Sequence, residues 1–269
     1  MDSGAAIWLY PLIGAASGIL AGLFGIGGGL LIVPALVAVF ALAGSAVPDA
    51  LAVHVAIGTS LAVIVVTSVS SIAAHHRRDS VAWPAVWRLV PGILAGGFIG
   101  ARIADALARN PLQAIFGVLA ILLALWMAFG RPPPPEGRRV GPLIWFPVGV
   151  VVGTISALVG IGGGVMTVSW LTWQGTPIHR AVGTGAACTL PVALAGAAGF
   201  MLTGADVPDL PSGSVGYVYF PAAIGISLAS ALTAPLGARL AHALPVKQLR
   251  RAFAILLAVV GLRMVIGAT

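Results

Sequence analysis

The chain has 269 residues, 59% of them hydrophobic and 8% charged, with a mean hydropathy of +1.07 and a formal net charge of +7. Soluble domains carry about 25% charged residues, so this composition excludes an ordinary soluble domain and predicts a polytopic membrane protein. The positive balance does not point to nucleic acid: the basic residues are not interleaved with aromatics, and basic loops beside membrane helices have a simpler cause.

A helix needs about 20 apolar residues to cross the hydrocarbon core. The N-terminus, "MDSGAAIWLYPLIGAASGIL", lacks a positive leading region and reads as a first membrane segment over Ala5–Phe24 rather than a signal peptide. "GIGGG" at Gly25–Gly29 then breaks the apolar run, and a short piece follows over Leu30–Leu42. Long candidate helices come next at Val53–Ala74, Val81–Ala101 and Leu112–Phe129. The polar stretch "RPPPPEGRRVGP", Arg131–Pro142, holds four consecutive prolines and predicts a stiff, extended linker. Beyond it lie Leu143–Val159, a second "GIGGG" at Gly160–Gly164, a short piece over Val165–Trp173, and long segments at Ala181–Leu202, Val218–Arg239 and Phe253–Ile266. The expected fold is all-α, with about eight to ten membrane segments.

The plan is written twice. "GIGGGLLIVPAL" from Gly25 matches "GIGGGVMTVSWL" from Gly160, and "HVAIGTS" from His54 matches "HRAVGTG" from His179. "GARIADAL" from Gly100 matches "GARLAHAL" from Gly237, and "FGVLAILLALWM" from Phe116 matches "FAILLAVVGLRM" from Phe253. Ordered recurrence of four motifs predicts a first repeat over 1–130, a linker over 131–142 and a second repeat over 143–269. Putting the Arg77/Arg78 loop and the linker in the cytoplasm leaves only Arg102, Arg109 and Arg263 of the 14 basic residues outside. On that orientation the loop "HHRRD" is inside, while its counterpart "TGADVPDLPSGSVG", with no Lys or Arg, is outside. The two halves are therefore expected to be inverted, an arrangement typical of secondary transporters. Whether each glycine motif joins two full crossings or forms a re-entrant, broken element stays open, because both keep the parity of the loops.

Glycine costs roughly 1 kcal/mol relative to alanine inside a helix, so two glycine breaks need a reason. Unwound backbone survives at membrane depth only inside protein or beside water. A helix that starts there aims free N–H groups and the positive end of its dipole into the break, which favours an anion. Candidate binding residues are Gly25, Gly27, Gly28 and Gly29, and Gly160, Gly162, Gly163 and Gly164; the alternative is that they serve close helix packing. Thr59, Ser60 and Thr184 add hydroxyls, unless these bond to their own helix. His54 and His179 are candidates for gating or proton linkage, with interfacial capping as the alternative. Arg102 and Arg239 guide anions or merely snorkel to the interface. Trp8, Trp83, Trp87, Trp126 and Trp145 read as interfacial belt residues. The single cysteine, Cys188, is expected to pack, and alone it makes neither an intrachain disulfide nor a metal site. No lysine stands where a phosphate-binding loop needs one, and there is no paired-carboxylate, metal-ligand or nucleophile pattern. The expectation is no enzyme, no cofactor and no metal.

These paired "GIGGG" and "GTS"-like segments resemble the sulfite exporter TauE/SafE family of bacterial membrane transporters, over essentially the whole chain. The resemblance implies an inner-membrane carrier of sulfite, sulfonates such as sulfoacetate, or related small sulfur-containing anions, moving them outward. The sulfur rests on the resemblance alone. The second half departs from the first: Gly185 replaces the hydroxyl of Ser60, and Ser169 replaces Pro34. The partners implied are a small anion and the bilayer, with no nucleic acid and a homodimer left open. An anion channel, or a carrier of a non-sulfur organic anion, is the competing expectation.

Overall fold

The structure, a computed structural model, describes residues 3–24, 29–42, 47–129, 140–243 and 246–268, with backbone only over 3–7, 21–24, 237–243 and 246–250 and at 30, 42, 127, 235 and 253. In chain order the helices are α1 (Ser3–Phe24), α2 (Gly29–Leu42), α3 (Ala52–His76), α4 (Trp83–Asp105) and α5 (Arg109–Phe129), then α6 (Trp145–Val159), α7 (Gly164–Trp173), α8 (Ile178–Thr203), α9 (Phe220–Ala243) and α10 (Val246–Ile266). The all-α expectation holds apart from a small antiparallel hairpin, β1 (Ser214–Val215) and β2 (Val218–Tyr219), with Ser214 opposite Tyr219. Helices α4 and α9 both begin with an aromatic–proline pair, Trp83-Pro84 and Phe220-Pro221. Proline suits a first helical turn, where its missing N–H has no partner to lose.

Among the described residues, five segments are long and apolar enough to cross a membrane: Asp49–His76, Trp83–Asp105, Arg109–Trp126, Pro142–Val159 and Ile178–Thr203. The two that follow the glycine motifs are not. At about 1.5 Å per residue, α7 with 10 residues and α2 with 14 fall well short of a hydrocarbon core about 30 Å thick.

Helices α3 and α8 form the centre. They run antiparallel, since Gly58 lies against Phe200 and Gly196 against Leu61. The other large pairings are α1 with α9, α4 with α6, and α5 with α10. Small residues bring these backbones together: Gly92, Gly96 and Gly100 of α4 meet Phe146, Val150 and Thr154 of α6 in rising order, so that pair is parallel. Gly14 and Gly18 of α1 meet Ile226 and Ser230 of α9 in the same sense. In α5 and α10, Gly117 approaches Val265 and Gly261 approaches Ile121, an antiparallel pair. Large apolar side chains such as Trp8, Phe129, Leu202 and Leu232 point outward, as a lipid-facing surface requires.

Trp145 departs from the belt expectation. It is buried, packs edge-on against Trp170 with centroids 4.5 Å apart, and carries the Arg88 guanidinium over its ring at 5.5 Å. A ring at a helix start is drawn inward when a partner ring and a cation are within reach. Cys188 is buried in the apolar cluster with Val192 and Leu171, as expected of a packing residue.

Candidate functional site

Glycine backbone builds the second break. Helix α6 closes with the Gly160 amide donating to the Ala157 carbonyl and the Ile161 amide donating to the Ser156 carbonyl, the paired bonds that end a helix on a left-handed residue. Gly160 has φ 63°, and Gly163, just before α7, has φ 67°. A side chain at such angles costs about 1–2 kcal/mol, which explains glycine at both. The first backbone bond of α7 runs from the Thr167 amide to the Gly163 carbonyl, and the Thr167 hydroxyl donates to the same oxygen at 3.1 Å. The amides of Gly164, Val165 and Met166 precede that bond, so they have no helical acceptor and form the positive end of α7.

The two breaks meet at Ser60. Fully buried in α3, its hydroxyl donates to the Gly160 carbonyl at 3.0 Å and to the Gly29 carbonyl at 3.3 Å. Even a methyl group on Gly29 would run into the Gly160 carbonyl. In the second half the counterpart Gly185 lies directly against Gly164, whose carbonyl would stand 3.0 Å from a Cβ there. Thr189, bonded to the Gly185 carbonyl at 3.1 Å, fills the space beside Gly162 and Gly164. A cavity of about 30 Å³ opens at the break between α5, α6 and α7, lined by Leu119, Leu123, Ser156, Gly163, Val165 and Met166 among others. One water needs about 10–15 Å³ by this measure, so there is room for about two.

Thr59 and Thr184 lie at opposite ends of the α3/α8 pair, each in the same small clasp. Thr59 Oγ1 accepts the Tyr219 amide at 3.0 Å, and a Cβ on Gly58 would stand 2.7 Å from the Tyr217 carbonyl. Thr184 Oγ1 accepts the Ala82 amide at 2.9 Å and donates to the Arg180 carbonyl at 2.7 Å, while a Cβ on Gly183 would collide with the Ser80 carbonyl. Each Gly-Thr pair thus holds the extended chain that leads into α9 or α4.

His54 belongs to the first clasp rather than to an interface. Its Nε2 faces the carbonyls of Ala104 and Leu107 at 3.0 and 3.1 Å, and its ring stacks on Tyr217 with centroids 5.1 Å apart. Tyr217 donates its phenolic proton to Asp105 Oδ1 at 3.0 Å. Burial, then the neighbouring carboxylate, push that phenol up to about 12, so it keeps the proton it donates.

The structure therefore brings Gly29, Ser60, Gly160, Gly162, Gly163 and Gly164 together, and sets Thr59 and Thr184 apart at the two ends. His179 and Arg102 are exposed, so the two histidines of the repeated motif are not equivalent. Gly25, Gly27, Gly28 and the side chain of Arg239 lie outside the described residues. Ser156, Thr189, Tyr217 and Asp105 escaped the sequence reading. Ser156 had one available signal: aligning the "GIGGG" motifs sets it against Ala21, a hydroxyl present in one copy only. Among the described residues no group of three or more His, Cys, Asp or Glu could hold a metal ion.

A family model described as "Sulfite exporter TauE/SafE" matches residues 10–264. The chain is 38% identical over 259 residues to a probable membrane transporter protein of Haemophilus influenzae, covering 96% of this chain and 97% of that one. It is 29% identical over 260 residues to a probable membrane transporter protein of Methanocaldococcus jannaschii, covering 96% and 95%. Over 179 residues it is 27% identical to a probable membrane transporter protein of Bacillus subtilis, covering 60% and 65%. No solved structure matches.

Proposed function

Because this chain belongs to the sulfite exporter TauE/SafE family, we propose that this multi-pass membrane transporter is a secondary carrier of small sulfur-containing oxyanions, exporting sulfite, sulfoacetate or related sulfonates across a bacterial inner membrane by alternating access. The observation that carries the reading is the meeting of the two glycine breaks at Ser60, beside the open N-terminus of α7. Amides without helical acceptors and a dipole end, beginning at buried Gly164, favour an anion without any fixed positive charge. Gly25, Gly27 and Gly28 complete the first break, and Gly29, Ser60 and Gly160 to Gly164 form the core of the site. Thr59 and Thr184 reach the anion when their clasps open, with His54 titrating at one end. Arg102, which is exposed, and Arg239 draw anions toward the entrances.

Several features support alternation of two inverted halves, residues 1–130 and 143–269, joined by a cytoplasmic linker. Counterpart helices run antiparallel, α3 to α8 and α5 to α10. The α1–α9 pairing becomes α6–α4 when the halves are exchanged, and both pairs are parallel. The two clasps also exchange. Each sits at its own end of the α3/α8 pair, where opening one while the other stays shut gives access from one side at a time.

Binding to the purified protein tests the site. Sulfite, sulfoacetate, sulfate and acetate are compared by thermal shift on the wild type, Gly29→Leu and Ser60→Val. Selective stabilisation by a sulfur anion, lost in both variants, is the expected result; no stabilisation by any anion removes the substrate assignment. Counterflow in proteoliposomes then separates carrier from channel, because only a carrier shows saturable exchange.

A further inference from the structure

The cavity at the second break is polar on one side only. Its described lining holds no charged side chain: Leu119 and Leu123 come from α5, Val159 from α6, and Val165 and Met166 from α7. The one hydroxyl in it belongs to Ser156. Ser156 is 3% exposed, and its Oγ would stand 2.8 Å from a Cβ on Gly163. Unlike Thr167, Ser169, Thr172, Thr184 and Thr189, which all bond back to the carbonyl four residues earlier, the Ser156 side chain makes no such bond to its own helix among the described residues and lines the cavity instead. The cavity has room for about two waters, so this hydroxyl is left to bond whatever occupies it. Ser156 shares that lining with Gly163, Val165 and Met166 at the open N-terminus of α7.

We propose that Ser156 donates its hydroxyl hydrogen bond to the transported anion at the second break, and that the site takes small monoanions in preference to dianions. This rests on the reading of the glycine breaks as the substrate site. The charge preference follows from the lining. The dehydration cost of an ion grows as the square of its charge, about fourfold from monoanion to dianion. Its attraction to neutral donors such as N–H groups and a hydroxyl only doubles. With apolar walls and no cation to close the gap, a monoanion is stabilised and a dianion is left short of partners. Within the sulfur oxyanions proposed above, the ligand class narrows to hydrogen sulfite or an organic monosulfonate; sulfate, fully ionised sulfite and the doubly charged sulfoacetate are disfavoured.

The test uses the full-length purified protein and four probes at one ionic strength: methanesulfonate, sulfate, sulfoacetate, and sulfite taken from pH 6 to pH 8. Affinities are read by tryptophan fluorescence or thermal shift. Methanesulfonate is expected to bind about tenfold or more tighter than sulfate or sulfoacetate, and sulfite affinity is expected to fall as pH rises and hydrogen sulfite is lost. Ser156→Ala weakens the monoanion about tenfold, whereas Ser156→Thr, which keeps the hydroxyl, retains most of the affinity. The ligand-free unfolding temperature of each variant separates loss of a ligand from loss of fold. Equal affinity for sulfate and methanesulfonate overturns the charge preference. Unchanged affinity in Ser156→Ala, with binding abolished in Gly29→Leu, overturns the role of Ser156 and leaves the break as the site. Monoanion binding unaffected by both substitutions removes the break itself from the site.

Discussion

The two clasps make the same bond with the same residue types, yet they are not equally secured. At the first, Thr59 holds Tyr219, and the held segment is tied further by His54 from α3 and Asp105 from α4 through Tyr217. At the second, Thr184 holds Ala82, and the extra support is local: Ser80 donates to the His75 carbonyl at 2.9 Å and contacts His75 Nδ1 at 3.3 Å, only five residues away. Bonds within one turn of chain do not pin a segment to the rest of the molecule, whereas bonds to other helices do. A repeated motif thus fixes the contact, and the surrounding residues fix how hard it is to release.

The largest test of that difference is steric. Gly58→Val and Gly183→Val should each lower stability by about 3 kcal/mol, with Gly183→Val the worse because the Ser80 carbonyl lies closer than the Tyr217 carbonyl. Thermal unfolding in detergent reads this, and two neutral substitutions would show that neither contact matters. Next come Thr59→Val and Thr184→Val, each leaving a buried amide without its acceptor at about 2 kcal/mol. Cys188 is buried, and so are Val218 and Val81 in the two held segments, so thiol labelling of Val218→Cys or Val81→Cys reports each end separately. Labelling should rise more at Val81→Cys in Thr184→Val than at Val218→Cys in Thr59→Val; equal rises would erase the distinction. Tyr217→Phe removes the bond to Asp105, costs about 1 kcal/mol, and should bring the first clasp to the labelling rate of the second. Ser80→Ala should cost about 0.5 kcal/mol and leave Val218→Cys labelling unchanged.

Much of this fold is legible in one dimension. Apolar runs place the helices because hydrocarbon demands a continuous stretch, and the glycine motifs mark the breaks at Gly29 and Gly160–Gly164 because their backbone angles and contacts tolerate no side chain. The sites of contact are another matter. Ser60 looks like one hydroxyl in an apolar helix, and only the fold reveals that it spans both breaks, one carbonyl lying 31 residues away and the other 100. Thr59 and Thr184 read as donors to a ligand, while the structure gives each a backbone amide from a distant loop. His54 and His179 share a motif, but Tyr217 and two carbonyls enclose one and solvent surrounds the other. Local pattern specifies an element; the partner of a polar group is chosen by what the fold carries past it.

The pairing of α1 with α9 and of α4 with α6 also governs how the protein is made. Synthesis proceeds from the N-terminus, so α1 enters the bilayer long before its partner exists. Gly14 and Gly18, which accept the α9 backbone in the finished protein, must wait until nearly the whole chain has left the ribosome. Nascent chains truncated anywhere before α9 present that seam unfilled, and they are the species a membrane quality-control protease would meet first.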